Sequence, residues 1–196
     1  MRIVLVVSIT VIVFSAAPAV GQSWFTFRNQ EVGVDAPVYD AAGVPLAGPT
    51  FLAELWGADT TNGLSPLVLL VGNNRLIKPF TQDGYVAPAD GGYLVVPSVA
   101  PNGWAWLQMR AWDSRLGATY DEVVARGMGG YGQSAIFYAQ GSDPFDFLAL
   151  PGTLIGLQSF SLRSVPEPTS TALLSVGGML WLFLSRRRAR IDRREE

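Results

Sequence analysis

The sequence contains no cysteine and no histidine, and only 15% of its 196 residues are charged. Without cysteine the chain forms no disulfide bond and offers no thiolate to a metal ion. Without histidine it lacks the most common general base and the most common transition-metal ligand. These absences exclude thiol catalysis and serine–histidine catalysis, and we expect a protein with no metal site and no cofactor.

The chain also lacks a run of basic residues in its middle part. Residues 22–164 carry seven basic and twelve acidic side chains. A mildly acidic surface of this kind repels nucleic acid, so nucleic acid is not expected as a partner. A stretch of about 140 residues is close to the usual size of one domain and can bury a hydrophobic core. We therefore expect a single acidic domain at 22–164.

The N-terminus has the pattern of a secretory signal peptide. Met1 and Arg2 supply a positive charge, residues 3–14 are apolar apart from Ser8 and Thr10, and small residues follow at 15–21. The apolar run is too short for a stable membrane span and ends in small residues, as signal peptides do. The pattern predicts a signal peptide at 1–21 and export of the domain that follows.

A second apolar run, at 169–185, lies ahead of an arginine-rich end. As an α-helix it would be about 26 Å long at ~1.5 Å per residue, and the core of a bilayer is about 30 Å thick. Basic side chains stay on the cytoplasmic side of a membrane span. We therefore predict a transmembrane helix at 169–185, a basic tail at 186–196 and a domain outside the cytoplasm. The residues predicted to stop membrane transfer are Arg186, Arg187, Arg188 and Arg190.

The segment at 165–196 also carries a resemblance to a known family. The motif of Val165, Pro166, Glu167 and Pro168, the short apolar helix and the arginine-rich end resemble the PEP-CTERM sorting signal of Gram-negative bacteria that make extracellular polysaccharide. The resemblance implies recognition by an exosortase, a membrane-embedded enzyme similar to cysteine transpeptidases, and cleavage near the motif. It also implies that the product reaches the cell surface or the extracellular space. The alternative is an ordinary C-terminal membrane anchor, which has no need of this motif.

The middle part reads as an all-β domain. Short runs rich in β-branched and aromatic residues are separated by glycine, proline, asparagine and aspartate. Turn signals this frequent favour a two-sheet antiparallel sandwich of the jelly-roll or immunoglobulin-like type. The run at 67–71 is fully apolar, which predicts a strand buried on both faces. The predicted strands are 24–27, 37–40, 51–56, 67–71, 93–96, 104–112, 135–138 and 157–162.

One short helix is expected within this domain. Thr119 and Glu122 have the spacing of a capping box, in which each side chain accepts a hydrogen bond from the other residue's backbone N–H. Gly127 is placed to end the helix in the left-handed conformation. The acidic residues at the helix start are explained by the helix dipole. We expect about two turns of helix closing one end of the sandwich.

The strand at 104–112 alternates clearly between two faces. Its first face carries Trp104, Trp106, Gln108, Arg110 and Trp112, and the other carries small and aliphatic residues. Two interpretations remain open. In the structural one, the tryptophans cover a second sheet or a loop and the arginine stacks on a ring. In the functional one, Trp104, Trp106, Arg110 and Trp112 form an aromatic platform for sugar rings.

Signs of catalysis are weak. Gly132, Gln133 and Ser134 lack the second glycine of a nucleophile elbow, and the aspartate-rich turns lack the spacing of a calcium loop. We therefore expect a non-catalytic surface or matrix protein that associates with exopolysaccharide. The alternative is a secreted glycosidase-like hydrolase that uses two acidic residues, because no sequence pattern excludes such a pair.

Overall fold

The computed structural model describes residues 22–88 and 92–164. In these two stretches the protein is mostly β-sheet and has one helix of 7 residues, α1 (Tyr120–Arg126). Neither stretch contains a helix long and apolar enough to cross a membrane. The predicted signal peptide at 1–21 and the predicted sorting segment at 165–196 lie outside the described residues.

Two strands are long and the others are short. The long ones are β5 (Gly48–Ala58) and β11 (Trp104–Asp113), with 11 and 10 residues. The others are β1 (Ser23–Phe25), β2 (Gln30–Glu31), β3 (Val34–Asp35), β4 (Val38–Tyr39), β6 (Ser65–Pro66), β7 (Val68–Leu69), β8 (Lys78–Gln82), β9 (Tyr85–Val86), β10 (Leu94–Val96), β12 (Tyr131–Gln133), β13 (Phe137–Gln140) and β14 (Phe160–Ser161).

The largest sheet is built on β11 and β5, which pair from Trp106 opposite Ala58 to Asp113 opposite Phe51. It has seven strands in the order β12-β11-β5-β8-β9, with β13 added to β11 and β6 added to β5. A second sheet has the order β1-β10-β7, and its pairs are antiparallel. The prediction of an all-β domain with antiparallel sheets and one short helix is confirmed, and the arrangement is compatible with a sandwich.

The main core contains residues from both of these sheets. Every second side chain of β11, from Ala105 to Ala111, is completely buried. These side chains join Phe25 of β1 and Leu94 of β10 in one hydrophobic cluster. The other side of β11, which carries Trp104, Trp106, Gln108, Arg110 and Trp112, faces away from this cluster; we call it the outer face.

The predicted strand at 67–71 is wrong in its extent and burial. Leu67 is 3% exposed, but Val71 is 83% exposed. The reason is that the chain passes from one sheet to the other here: β6 pairs with β5, whereas β7 pairs with β10. A turn with positive φ at Gly72 and Asn73 then reverses the chain. Buried and exposed positions therefore alternate between two environments, which a uniformly apolar sequence does not reveal.

Helix α1 is capped almost as predicted, but it lies elsewhere. The Glu122 N–H donates to the Thr119 hydroxyl (3.3 Å), and Gly127 ends the helix with φ 66°. The Glu122 carboxylate accepts from the N–H of Ala118 rather than from that of Thr119. Instead of closing an end of the sandwich, the helix packs on the outer face, where its Tyr120 and Val123 cluster with Trp112 of β11.

An ion pair ends β11 and makes stability depend on pH. Burial alone would raise the pKa of Asp113, but hydrogen bonds from the backbone and guanidinium of Arg115 outweigh burial, and the pKa is lowered. The pKa of an unfolded aspartate is about 3.9. The ionised carboxylate therefore stabilises the fold above about pH 4, and this contribution is lost as the pH falls through the lower pKa of the folded state.

We expect the free energy of unfolding to fall less on acidification in the Asp113→Asn variant than in the wild type. The asparagine does not titrate, so the variant lacks the part of the pH dependence that comes from this pair. Urea unfolding at about pH 5 and about pH 3 measures the difference, since both conditions bracket the titration. An equal fall in both proteins would contradict the assignment.

Candidate functional site

The outer face of β11 divides into an exposed half and a covered half. Trp104 is 49% exposed and Trp106 is half-buried, whereas Trp112 is completely buried. The helix α1 produces this division, because it lies over Trp112 and leaves the other end of the strand open. The four residues proposed as one platform therefore do not share one surface.

The exposed half is completed by an aromatic residue of the neighbouring strand. β13 pairs with β11 so that Tyr138 lies opposite Trp106. The Tyr138 ring is 5.1 Å from the Trp104 ring at an interplanar angle of 25°, and 4.6 Å from the Trp106 ring at 34°. Tyr138 is 48% exposed. Trp104, Trp106 and Tyr138 thus form a surface of nearly parallel rings, which we call the aromatic cluster.

A cavity of about 470 Å³ adjoins this cluster. Trp104 and Tyr138 form part of its wall, and polar groups form another part. The Gln140 side-chain amide donates to the Asn102 carbonyl at 3.1 Å, which fixes its orientation and leaves its amide oxygen as an acceptor. The polar lining residues are Asn102, Gln140, Ser142 and Thr153. Aromatic faces beside fixed amide and hydroxyl groups suit a ligand that is both apolar and hydroxylated.

Arg110 lies between the two halves and is held by rings. Its guanidinium carbon is 3.5 Å from the centre of the Trp56 ring and 5.1 Å from that of Tyr120. Its Nε donates to the Gln108 side-chain oxygen at 3.0 Å. Burial lowers the pKa of Arg110, and Tyr120 and neighbouring carboxylates act against that change. The group still remains charged at neutral pH.

Trp56 is positioned in turn by a buried ion pair. Its indole N–H donates to the Glu54 carboxylate at 2.6 Å. Glu54 is 2% exposed and forms an ion pair with Arg75. Because β5 places Glu54 directly opposite Arg110, the ion pair, the indole and the second guanidinium form one connected network on the outer face.

Trp112 belongs to a small second core. Its ring meets Tyr120 edge-on, with centroids 6.4 Å apart and an interplanar angle of 79°. Leu52, Leu116 and Tyr131 pack against the same cluster. The Trp112 indole N–H is buried and has no hydrogen-bond partner among the described residues. Contact between this tryptophan and a surface ligand would require the helix to move away.

Sequence reasoning missed Tyr138 and Trp56. Each lies on a different strand from Trp104, and only the pairing of the strands brings them to the outer face. Alternation within the predicted strands was the available signal: Tyr138 and Gln140 are exposed, and Phe137 and Ala139 between and beside them are buried.

The carboxylates do not form an evident catalytic pair in the described part of the chain. Among the residues lining four of its cavities, Asp121 is the single acidic residue. Residues 22–88 and 92–164 contain no group of three histidine, cysteine or acidic residues placed to hold a metal ion. No model of a protein family, no curated protein and no solved structure matches the chain.

Proposed function

We propose that this protein is a non-catalytic component of the cell surface or extracellular matrix, and that its β-domain binds exopolysaccharide. The observation that carries the proposal is the half-exposed aromatic cluster beside a polar cavity. We also propose that the two larger sheets pack as a two-layer sandwich of the jelly-roll or immunoglobulin-like type, which would present β11 on an outer layer.

The chemistry of a sugar fits this surface. The carbon-bound hydrogens of a pyranose ring can lie against an aromatic face, and two stacked rings offer such a face at low entropic cost because they are already ordered. Hydroxyl groups at the edge of the sugar can bond to the amide of Gln140 and to the hydroxyls of Ser142 and Thr153, which line the adjoining cavity.

Export and sorting form the second part of the proposal. The signal peptide at 1–21 would start export, and the helix at 169–185 with its arginines would hold the precursor in the membrane with the domain outside. An exosortase would then cleave near Val165, Pro166, Glu167 and Pro168. The support for this part is the sequence pattern of both termini.

A hydrolase is not proposed. Hydrolysis by two carboxylates requires the pair to flank the bond, with the carboxyl groups roughly 5 to 10 Å apart. The cavity beside the aromatic cluster has no acidic lining residue, and the cavity beside Arg110 has only Asp121. No described observation therefore favours the hydrolytic alternative.

Substitution of the motif should block processing. In the native host we expect the double variant Pro166→Ala and Glu167→Ala to keep its C-terminal tail, because the determinant that the enzyme recognises is gone. Intact-mass measurement of the mature protein detects the tail. Pro144→Ala, a proline change in a turn of the domain, is the matched control and should be processed normally. Loss of the tail at the wild-type rate in the motif variant would contradict sorting by this signal.

The binding part is tested with polysaccharide purified from the native host. The full chain in mild detergent should be retarded in a gel that contains this polysaccharide, and it should migrate normally in a gel without it. Normal migration in both gels would contradict the proposed binding function.

A further inference from the structure

A second cavity, of about 430 Å³, opens beside Arg110 at the far end of the outer face from Trp104. Two guanidinium groups and one carboxylate meet there. The domain as a whole carries more acidic than basic side chains, so this cavity has the opposite charge balance to its surroundings. Its ionisable and amide lining residues are Arg110, Tyr120, Asp121, Tyr131, Gln133 and Arg163.

The two arginines are ordered by the tyrosines between them. The Tyr120 and Tyr131 rings meet edge-on, 5.9 Å apart at 87°. Arg110 lies 5.1 Å from the first ring and Arg163 lies 5.1 Å from the second. The backbone of Arg163 is fixed too, since its N–H donates to Tyr131 and its carbonyl accepts from Gly130. A ligand therefore meets guanidinium groups whose ordering cost is already met by the fold.

Close packing holds the segment of Arg163 in this position. A Cβ added to Gly132 would lie 2.5 Å from the Ser161 carbonyl oxygen and 3.1 Å from the Leu162 Cα. Only glycine at this position lets the chain around Arg163 approach β12 so closely. The cavity thus depends on a specific backbone contact and is more than a gap between mobile side chains.

Most of the guanidinium donors remain available for a ligand. Among the described residues, Arg110 donates one hydrogen bond, to Gln108, and its ion-pair distance to Asp121 is 4.0 Å, too long for a hydrogen bond. Arg163 donates one, to the Tyr131 hydroxyl at 3.2 Å. Tyr120, which burial keeps protonated by raising its pKa, donates to the Gln133 oxygen, so the Gln133 NH₂ group faces the cavity region as a further donor. Donors of this kind match a carboxylate.

We propose that this cavity binds the carboxylate of a uronic acid unit in the polysaccharide held by the aromatic cluster, so that the protein selects acidic over neutral polysaccharide. The inference rests on the proposed function. Trp106 and Arg110 lie four positions apart on one face of β11, which is about 13 Å at ~3.3 Å per residue. One oligosaccharide of a few rings can therefore reach both sites.

The test compares an oligogalacturonate with its methyl ester, which has the same backbone and no charge. The full chain in mild detergent should bind the acid at least ~10-fold more tightly than the ester at low salt, which is a difference of about 1.4 kcal/mol. The preference should shrink as salt is added, because exposed charges are screened. It should largely disappear in Arg163→Gln, whose side chain is exposed and whose loss leaves the core intact.

Two further variants keep the test decisive. Arg126→Gln removes the same charge from an exposed helix position that does not line the cavity, and it should retain the preference. Asp121→Asn removes the competing carboxylate and should strengthen binding of the acid. Equal binding of acid and ester, or a preference that survives Arg163→Gln, would overturn the inference while leaving sugar binding in place. Failure of wild-type protein to bind either probe would overturn both.

Discussion

Replacing Trp112 by alanine should lower the free energy of unfolding by about 3–5 kcal/mol. Trp112 is completely buried and is the largest fully buried side chain of the described residues. Its removal would leave a cavity between β11 and α1, because Tyr120 and Val123 lose the surface on which they pack. A helix of 7 residues is not stable without such packing. We therefore expect the helix to detach, which chemical unfolding and helical circular dichroism would both register.

Trp104→Ala is the matched control for this experiment. It makes the same chemical change on the same face of the same strand, but Trp104 is 49% exposed. Its effect on the free energy of unfolding should be below about 1 kcal/mol, as for most surface substitutions. Trp112→Phe should cost much less than the alanine change, because it keeps most of the ring and removes an indole N–H that has no described partner. Equal losses in Trp104→Ala and Trp112→Ala would contradict the division of the outer face.

The same Trp104→Ala variant should weaken binding of host-derived oligosaccharide by at least ~10-fold, or about 1.4 kcal/mol. The indole is half of the stacked pair with Tyr138 and forms part of the adjoining cavity wall. Aromatic residues at the centre of a contact commonly supply most of its binding energy. Calorimetric titration of wild type and variant measures the change.

Phe147→Ala provides the control for binding. Phe147 is also aromatic and is fully exposed, but it does not line the cavity beside the aromatic cluster. We expect it to bind as the wild type does, whereas Tyr138→Ala should resemble Trp104→Ala. Wild-type affinity in Trp104→Ala, together with a loss in Phe147→Ala, would place the ligand elsewhere on the domain.

Local sequence patterns predicted the elements that depend on local interactions. Strict alternation from 104 to 112 predicted β11, because a strand with one buried face repeats every two residues. The capping residues Thr119 and Gly127 predicted both ends of α1. The interpretation in which Arg110 stacks on a ring also agrees with its contacts, although the two rings come from other elements.

Long-range packing decided what the sequence could not. Trp104 and Trp112 share a face and a residue type, yet only the second is covered, because α1 folds back onto one end of the strand. Tyr138 joins Trp104 through the register of β13 against β11. The cavity beside Arg110 requires Arg163, which lies 53 positions later and is brought in by backbone bonds to Tyr131. No spacing within the sequence encodes these meetings.

The account's central claim is that a sugar contacts the open half of the outer face. The six tryptophans make this measurable by nitrogen-15 NMR of the indole N–H groups in the full chain, with host-derived oligosaccharide added stepwise. The indole signals of Trp104 and Trp106 should shift in proportion to binding, and that of buried Trp112 should stay in place. Unchanged Trp104 and Trp106 signals at saturating oligosaccharide would contradict the claim.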